Sequence, residues 1–377
     1  MDSAEILAQL VAIPSVSSMS NLALLDAIAA ILEPHGWRTL RQAYSAADGL
    51  EKANMLAVPE RFQNALPEVD LLFVCHTDTV PYSQNWPEAT HLREDEGQLH
   101  GCGSCDVKGA LAGLLAAALA IEQDKLHAPV AYAFTAEEEI GCIGATRLAA
   151  SGLVRPRRVI VCEPTSLHPG TAGKGYGLAQ VRVYGHEAHS AFPAKGVSAI
   201  HVAAQMIVRL EQEQASSPVT DALFTPPYTT FNVGVVKGGT AKNILAGECE
   251  FLVEWRPVPG EDPKLGGELV QRLAAEVAAQ YGCAIDAEIL RADRGFRNSD
   301  ASRLGPRLEE LLQRSQMGIS FGSEATRFAS ATTEAVIIGP GDMQTAHSER
   351  ECIPISELTE WTAIVEQLLR HGVEQLA

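Results

Sequence analysis

Val69-Asp70-Leu71-Leu72-Phe73-Val74-Cys75-His76-Thr77-Asp78-Thr79-Val80-Pro81 is the stretch that decides the fold. The run from Val69 is apolar, too short for a globular helix and the right length for a buried strand. It ends in an imidazole, with a carboxylate two residues on and a proline that stops the strand. A strand apolar on both faces belongs in the middle of a sheet that is covered on both sides. Open α/β sheets gather ligands at the carboxyl ends of such strands. His76 therefore stands where a ligand would be held, although a histidine at a strand end also serves as a plain hydrogen-bonding residue.

Outward from that strand, helical spacing of Leu, Ile and Ala covers residues 3–12 and 22–33, and short strand-like pieces cover 37–40 and 55–58. Residues 82–100 lack a period and read as a loop with a small hairpin. His100-Gly101-Cys102-Gly103-Ser104-Cys105-Asp106-Val107-Lys108-Gly109 then opens an apolar helix that runs to about 121. A second buried strand, 128–135, stops at Glu137-Glu138-Glu139, a helix follows over 143–151, and a third strand, 158–162, stops at Glu163-Pro164-Thr165. Strand and helix in alternation predict an α/β fold, a mostly parallel sheet with helices on both faces. After Gly170 the texture changes to alternating strands and amphipathic helices in the order strand-helix-strand-strand-helix-strand, which is the ferredoxin-like order. The sheet then resumes with a helix at 304–314, a last buried strand at 335–338, a loop holding His347 and a closing helix over 357–376. The expected domains are residues 1–174 with 292–377, and an inserted α+β domain of residues 175–291.

The totals restrict the function. At 377 residues two domains are expected. Twenty-nine basic against 47 acidic residues give −18, which disfavours nucleic acid and anionic membrane as partners. No apolar run is long enough to span a bilayer, and the N-terminus lacks a basic region before an apolar core, so no signal peptide is expected. The eight cysteines are scattered, several in apolar strands, which fits reduced thiols and a cytoplasmic protein.

His76, Glu137–Glu139, Glu163 and the loop to His347 all follow buried strands, and Asp106 begins the Gly-rich helix. In a parallel sheet these ends lie along one edge. Two imidazoles and several carboxylates there suit Zn²⁺ or Co²⁺, a shared carboxylate would serve two ions, and a spare Glu would serve as general base. Each piece has an ordinary alternative. The acidic run could be favourable charge at a helix start, Asp106 an N-cap, and Glu163 and His347 solvated loop residues. Their joint placement favours the metal reading.

His76-Thr-Asp78-Thr-Val-Pro81, Gly101-Cys-Gly-Ser-Cys-Asp106-Val-Lys-Gly109, Glu138-Glu139, Glu163-Pro-Thr and Ala346-His347 resemble, in order and spacing, the two-zinc M20 metallopeptidase and deacylase family. The resemblance spans nearly the whole chain. It implies two divalent metal ions, Zn or Co, with His76 and Glu163 on one, Glu139 and His347 on the other, and Asp106 bridging both together with a water. Asp78 would accept from the other nitrogen of His76, and Glu138 would be the general base. The family's usual Asp-Glu-Glu is here Glu137-Glu138-Glu139, so the register can slip by one, and Ile140-Gly141 supports Glu138 as base. His189 would stabilise the oxyanion, with His186 the alternative. Asn243 and Arg256 would hold a substrate carboxylate, and Gly322 and Ser323 would line the pocket. The inserted domain implies a homodimer.

Within the family, Phe321-Gly-Ser-Glu-Ala and Gly339-Pro-Gly-Asp-Met-Gln-Thr-Ala-His347 look like the acetylornithine deacetylases, and the chain looks closest to the branch that acts on N-acetylcitrulline. The implied reaction is hydrolysis of an N-acetyl amino acid of arginine biosynthesis, N-acetyl-L-citrulline to L-citrulline and acetate. N-acetyl-L-ornithine is the alternative, and an N-succinyl diamino acid or a dipeptide a further one. The usual Gly-Arg-Gly before the bridging Asp is Gly101-Cys102-Gly103, which creates a Cys102-x-x-Cys105 pair. Thiol redox chemistry is the competing class, and two neighbouring loop thiols the plainer account. Gly173-Lys-Gly175-Tyr-Gly177 lacks the spacing and setting of a phosphate cradle.

Overall fold

In the computed structural model, which describes residues 1–215 and 219–375, the first helix, α1 (Ser3–Val11), begins on a reciprocal cap. Asp2 accepts from the Glu5 amide at 2.8 Å and the Glu5 carboxylate accepts from the Asp2 amide at 3.0 Å. Helix α2 (Leu22–Leu32) follows, then an antiparallel hairpin of β1 (Trp37–Ser45) and β2 (Glu51–Pro59). Strand β3 (Glu68–His76) is the one anticipated, and β4 (Arg93–Asp95) with β5 (Gln98–His100) forms the small hairpin. Helix α3 (Lys108–Ala120), β6 (Val130–Thr135), α4 (Ile143–Ser151), β7 (Arg155–Val161) and β8 (Gly170–Gly173) complete this stretch. Helix α3 is apolar all round and buried over most of its length.

The chain divides into two compact units: residues 1–171, 298–317 and 323–377 in one, 172–297 and 318–322 in the other. The second unit holds β9 (Tyr176–Tyr184), α5 (Ala199–Ala215), β10 (Thr230–Gly238), β11 (Glu248–Arg256), α6 (Lys264–Tyr281) and β12 (Ala284–Asp293). Its sheet runs β10-β11-β9-β12, antiparallel throughout, the ferredoxin-like arrangement. Val181, Val183, Phe251, Val253 and Trp255 face the apolar sides of α5 and α6. Strand β13 (Phe296–Arg297) pairs with Ala172 and Gly173, and so those residues belong to this unit, outside the expected limits of 175 and 291.

The first unit resumes with α7 (Leu304–Leu312); β14 (Met317–Ile319) is followed by α8 (Ala325–Phe328), β15 (Glu334–Ile337), β16 (Cys352–Pro354) and α9 (Ile355–His371). The expected end of the last helix at Leu376 lies outside the described residues; α9 stops at His371 before Gly372, whose φ is +65°. Strands β6, β3, β7 and β15 are mutually parallel in that order, whereas β2 joins β6 antiparallel. The parallel arrangement thus describes the four central strands, and the flanks are antiparallel, the β1–β2 hairpin beside β6 on one side and β8 beside β15 on the other. Alternate residues serve the two faces. Leu71, Phe73 and Cys75 pack in the core with α1, α2, α3 and α9, and Leu72 and Val74 are buried on the other side. Helices α4 and α8 lie against β2, β6, β7 and β15. At Gly113 a Cβ would stand 2.4 Å from Trp361 Cδ1, so only glycine lets α3 and α9 approach this closely. Among the described residues no helix is long and apolar enough to cross a membrane.

Candidate metal centre

Strand β3 delivers His76 fully into the unit, 1% exposed. Its Nδ1 lies 2.9 Å from the main-chain oxygen of Asp78, to which it donates, and this turns Nε2 toward the acidic groups as the nitrogen that would meet a cation. Nε2 faces Asp106 Oδ1 at 3.1 Å. The expected ring partner was the Asp78 carboxylate, but its Oδ1 is 3.9 Å from Nδ1. The turn after the strand brings the Asp78 carbonyl back to the ring, while its carboxylate is taken up by other donors. Oδ1 accepts from the Glu138 amide at 3.0 Å, and Oδ2 from the Glu139 amide at 3.3 Å and from Ser17 Oγ at 2.7 Å. Asp78 therefore holds the Glu138–Glu139 backbone directly, and His76 only through its own main chain.

Asp106 stands between two imidazoles, with Oδ1 toward His76 and Oδ2 3.0 Å from His347 Nε2. His347 Nε2 also lies 3.2 Å from Glu139 Oε1. Donor atoms of His76, Asp106 and Glu163 all fall within 4.8 Å of one another, and so do those of Asp106, Glu139 and His347. Asp106 belongs to both groups. The loops that carry them are tied together: the Glu163–Thr165 turn bonds the chain after β15 through Thr165 N to Gly339 O at 3.1 Å. Glu351 Oε1 accepts from the amides of Cys105 and Asp106 at 3.1 and 3.0 Å. Glu137 is turned away from these groups. Its carboxylate pairs with Lys52 Nζ at 3.2 Å and accepts from Tyr44 OH at 3.0 Å, which leaves Glu138 and Glu139 as the two carboxylates of the run on the cluster side. Cys142 Sγ donates to Glu138 Oε1 at 3.2 Å.

The charges are mutually dependent. Burial and then the Asp106 carboxylate push Glu163 well above the usual range, and burial raises Glu139 and Glu138. Burial works against a charged His76, yet its bond to Asp106 raises it overall, and bonds to Asp106 and Glu139 raise His347 to about 10. Burial opposes a charged Asp106 too, but the two histidines hold it below its ordinary value. These are carboxylates asking for positive charge. Glu163 Oε1 is buried with no hydrogen-bond donor among the described residues, a costly condition for a polar atom unless a cation completes it. Imidazole and carboxylate donors suit Zn²⁺ or Co²⁺.

The second unit carries the other expected residues. His189 and Asn243 come together through main-chain pairing, Ser190 N to Asn243 O at 3.0 Å with a bridge between His189 and Ile244. The Ala191 amide donates to His189 Nδ1 at 3.1 Å, so the ring proton sits on Nε2, and the ring is exposed. His186 is occupied in main-chain pairing with Val197. The Arg256 guanidinium stacks on Tyr176 at 4.5 Å, and a Cβ at Gly322 would lie 3.3 Å from its Nη1. Ser323 belongs to the first unit and is buried; its Oγ accepts from the Ala325 amide at 3.4 Å in a local turn at the start of α8. 

The sequence signature of the M20 peptidase dimerisation domain matches residues 171–282. An acetylornithine deacetylase of Myxococcus xanthus is 39% identical over 97% of this chain and 96% of its own length. One of Proteus mirabilis is 31% identical over 97% and 96%. The chain belongs to the M20 family. It is a metallo-amidohydrolase of that family, a metal-dependent deacetylase. In fold it resembles a tripeptidase from Staphylococcus aureus (TM-score 0.80, 21% identity, 99% of this chain and 98% of that one). It also resembles an M20 metallo-carboxypeptidase from Sulfolobus solfataricus (TM-score 0.75, 17% identity, 98% and 99%).

Sequence reasoning missed several residues that hold the loops of the candidate cation groups, Ser17, Lys52, Tyr44, Cys142 and Glu351, and the buried acid Glu324. Lys52 left a trace, a lysine at the head of a strand that is mainly apolar from Met55 on. Glu324, fully buried and raised to about 7 by burial, sat in a stretch read only as pocket lining. Glu351 left no signal beyond its closeness to His347 in sequence. Cys102 and Cys105 are free and buried. Burial pushes the Cys102 thiol up to about 11 and Cys105 well above its ordinary value, so neither has the thiolate character that redox chemistry needs.

Proposed function

We propose that this M20 enzyme binds two divalent cations and hydrolyses the acetamide of an N-acetyl amino acid, N-acetyl-L-ornithine, to release acetate. The observation that carries the reading is the pair of three-residue groups sharing Asp106, with Glu138 beside them. His76 and Glu163 would hold one ion, Glu139 and His347 the other, with Asp106 common to both. The ions, when bound, would supply Lewis-acid polarisation of the acetyl carbonyl and make water nucleophilic at neutral pH. Glu138 takes the proton from the attacking water and returns it to the leaving amine. Protonated at Nε2, His189 is suited to donate to the developing oxyanion, and Arg256 is suited to a substrate carboxylate. The names carried by the full-length relatives support ornithine. N-acetyl-L-citrulline is the second reading, supported by the chain's sequence likeness to the branch that takes it.

A homodimer through the inserted domain is part of the proposal. It is supported by the match to the dimerisation signature and by β10, an edge strand with one neighbour among the described residues. On β10 Val235 and Val236 are 43% and 51% exposed, and on α5 Ile200 and Val208 are 41% and 45% exposed. All eight cysteines are free, in keeping with a reducing, cytoplasmic setting. The test is acetate release from N-acetyl-L-ornithine and N-acetyl-L-citrulline after chelation and after return of Zn²⁺ or Co²⁺. Turnover lost on chelation, restored by metal and faster on N-acetyl-L-ornithine is expected. Preference for N-acetyl-L-citrulline would shift the assignment to the second reading, and activity that survives full chelation would overturn the mechanism.

A further inference from the structure

The loop that carries Glu138 and Glu139 is held on its far side by a buried ionic clasp. Lys52, 2% exposed, donates from Nζ to Glu137 Oε1 at 3.2 Å and also to the main-chain oxygen of Ser17. Ser17 in turn donates from Oγ to Asp78 Oδ2 at 2.7 Å, and the Asp78 carboxylate receives the Glu138 and Glu139 amides. The bonds form a closed circuit: Lys52 to Ser17, Ser17 to Asp78, Asp78 to the loop, and the loop through Glu137 back to Lys52. Asn54, on the same strand as Lys52, clasps the loop's two ends, taking the Ala136 amide at 3.3 Å and donating to Gly144 O at 2.8 Å. Tyr44 closes the outer side on Glu137 Oε2 at 3.0 Å, beneath the Arg147 guanidinium.

Glu137 has a φ of +61°, a left-handed conformation that a glutamate does not hold without support. With that backbone, its carboxylate points to Lys52 while its two successors serve the cluster. We propose that Lys52 is a positioning residue for the reaction: acting through Glu137, it fixes the backbone that presents Glu138 as base and Glu139 as metal ligand. The inference rests on the two-cation hydrolase reading above. It adds a role for a strand residue outside the ligand set. A lysine ammonium is required because Glu137 is buried and its charge needs a partner there.

The test compares Lys52→Met, Glu137→Gln and Tyr44→Phe with wild type in the metal-loaded enzyme. Three readouts are used: kcat and KM on the better acetylated substrate, cation retention against a chelator, and thermal stability. A positioning role predicts that Lys52→Met lowers kcat by roughly ten- to a hundredfold, since small misplacements of catalytic groups cost rates of that order, with KM changed by less than about threefold. Cation retention falls with it, because Glu139 shares the loop. Tyr44→Phe, which removes one bond to the same carboxylate without stranding a charge, lowers kcat in the same direction by a smaller factor while the protein stays fully folded. A folded Lys52→Met enzyme with wild-type kcat and wild-type cation retention overturns the proposal, whatever its melting temperature. Should Lys52→Met not fold, wild-type values in both Glu137→Gln and Tyr44→Phe overturn it instead. Chelator competition needs no substrate, so failure of this inference is distinguishable from failure of the substrate assignment.

Discussion

Replacing Glu138 by Gln isolates proton transfer from everything else the loop does. Glu138 belongs to neither cation-binding group, and its amide, held by Asp78, is unchanged by the substitution. A Gln side-chain oxygen can still accept from Cys142 Sγ, which sits 3.2 Å from Oε1, so the rotamer keeps its anchor and no cavity opens. What is lost is a carboxylate able to take a proton from water and pass it to the leaving amine. General acid–base catalysis contributes about 10²- to 10⁴-fold, or roughly 3–5 kcal/mol of barrier. Because one carboxylate serves both transfers, the upper part of that range is expected, on the order of 10³-fold or more in kcat. KM should change little, since Glu138 is not assigned to substrate binding. The assay is steady-state acetate release by Glu138→Gln beside metal content by elemental analysis. Turnover within tenfold of wild type, with metal content unchanged, would refute the assignment of Glu138 as base. Loss of metal together with activity would instead show Glu138 to be a ligand.

Asp78→Asn leaves one of two adjacent amides facing an NH₂ group. An unsatisfied buried donor costs roughly 1–3 kcal/mol, so reduced kcat and weaker cation retention are expected, with His76 still bonded to the residue 78 carbonyl. Cys142→Ala removes the S–H donor to Glu138 and should lower kcat severalfold, whereas Cys142→Ser keeps a donor and should recover most of it; equal activity in both would dismiss the bond. Gly113→Ala drives a Cβ to 2.4 Å from Trp361 Cδ1, and urea unfolding should show a loss of ~1–3 kcal/mol from overpacking. Cation retention should rise with pH: without a cation His347 keeps its proton up to about 10, and an incoming ion must displace it, so chelator competition should strengthen by up to about tenfold per pH unit per displaced proton below that value.

The sheet was legible because its strands are chemically blunt. Leu71 to Cys75 has no polar residue, so period and length alone select a buried strand, and the strand ends then point out His76, Glu163 and the chain toward His347. Asp106 was legible for another reason, the glycines that let a helix begin close against the sheet. The hairpin partners of β1 and β2 were read too short, since Glu51, Lys52 and Asn54 break the apolar run. Of these, Lys52 and Asn54 turn out to be buried, bonding Glu137 and the two ends of the loop that carries it, while Glu51 stays exposed. The partner of the His76 ring was misassigned between two acceptors of one residue, a carbonyl and a carboxylate. Sequence cannot separate these, because the choice is made by a loop 60 residues away offering two amides to the carboxylate.

That choice bears on what Asp78 is for. A carboxylate on the ring nitrogen would raise the basicity of His76, an electronic effect on an ion bound there. A carboxylate on two backbone amides is instead a geometric device, and it governs the opposite wall of the site, the one with the base. The carbonyl at 2.9 Å already fixes the His76 tautomer, so the carboxylate is released for that second task. One residue thus sets two walls, its main chain the ring and its side chain the loop. Displacing the Asp78 backbone should therefore disturb a cation at the proposed His76 site, whereas altering only its side chain should disturb Glu138 and a cation at the proposed Glu139 site. This is a separation that metal titration of the two sites can resolve.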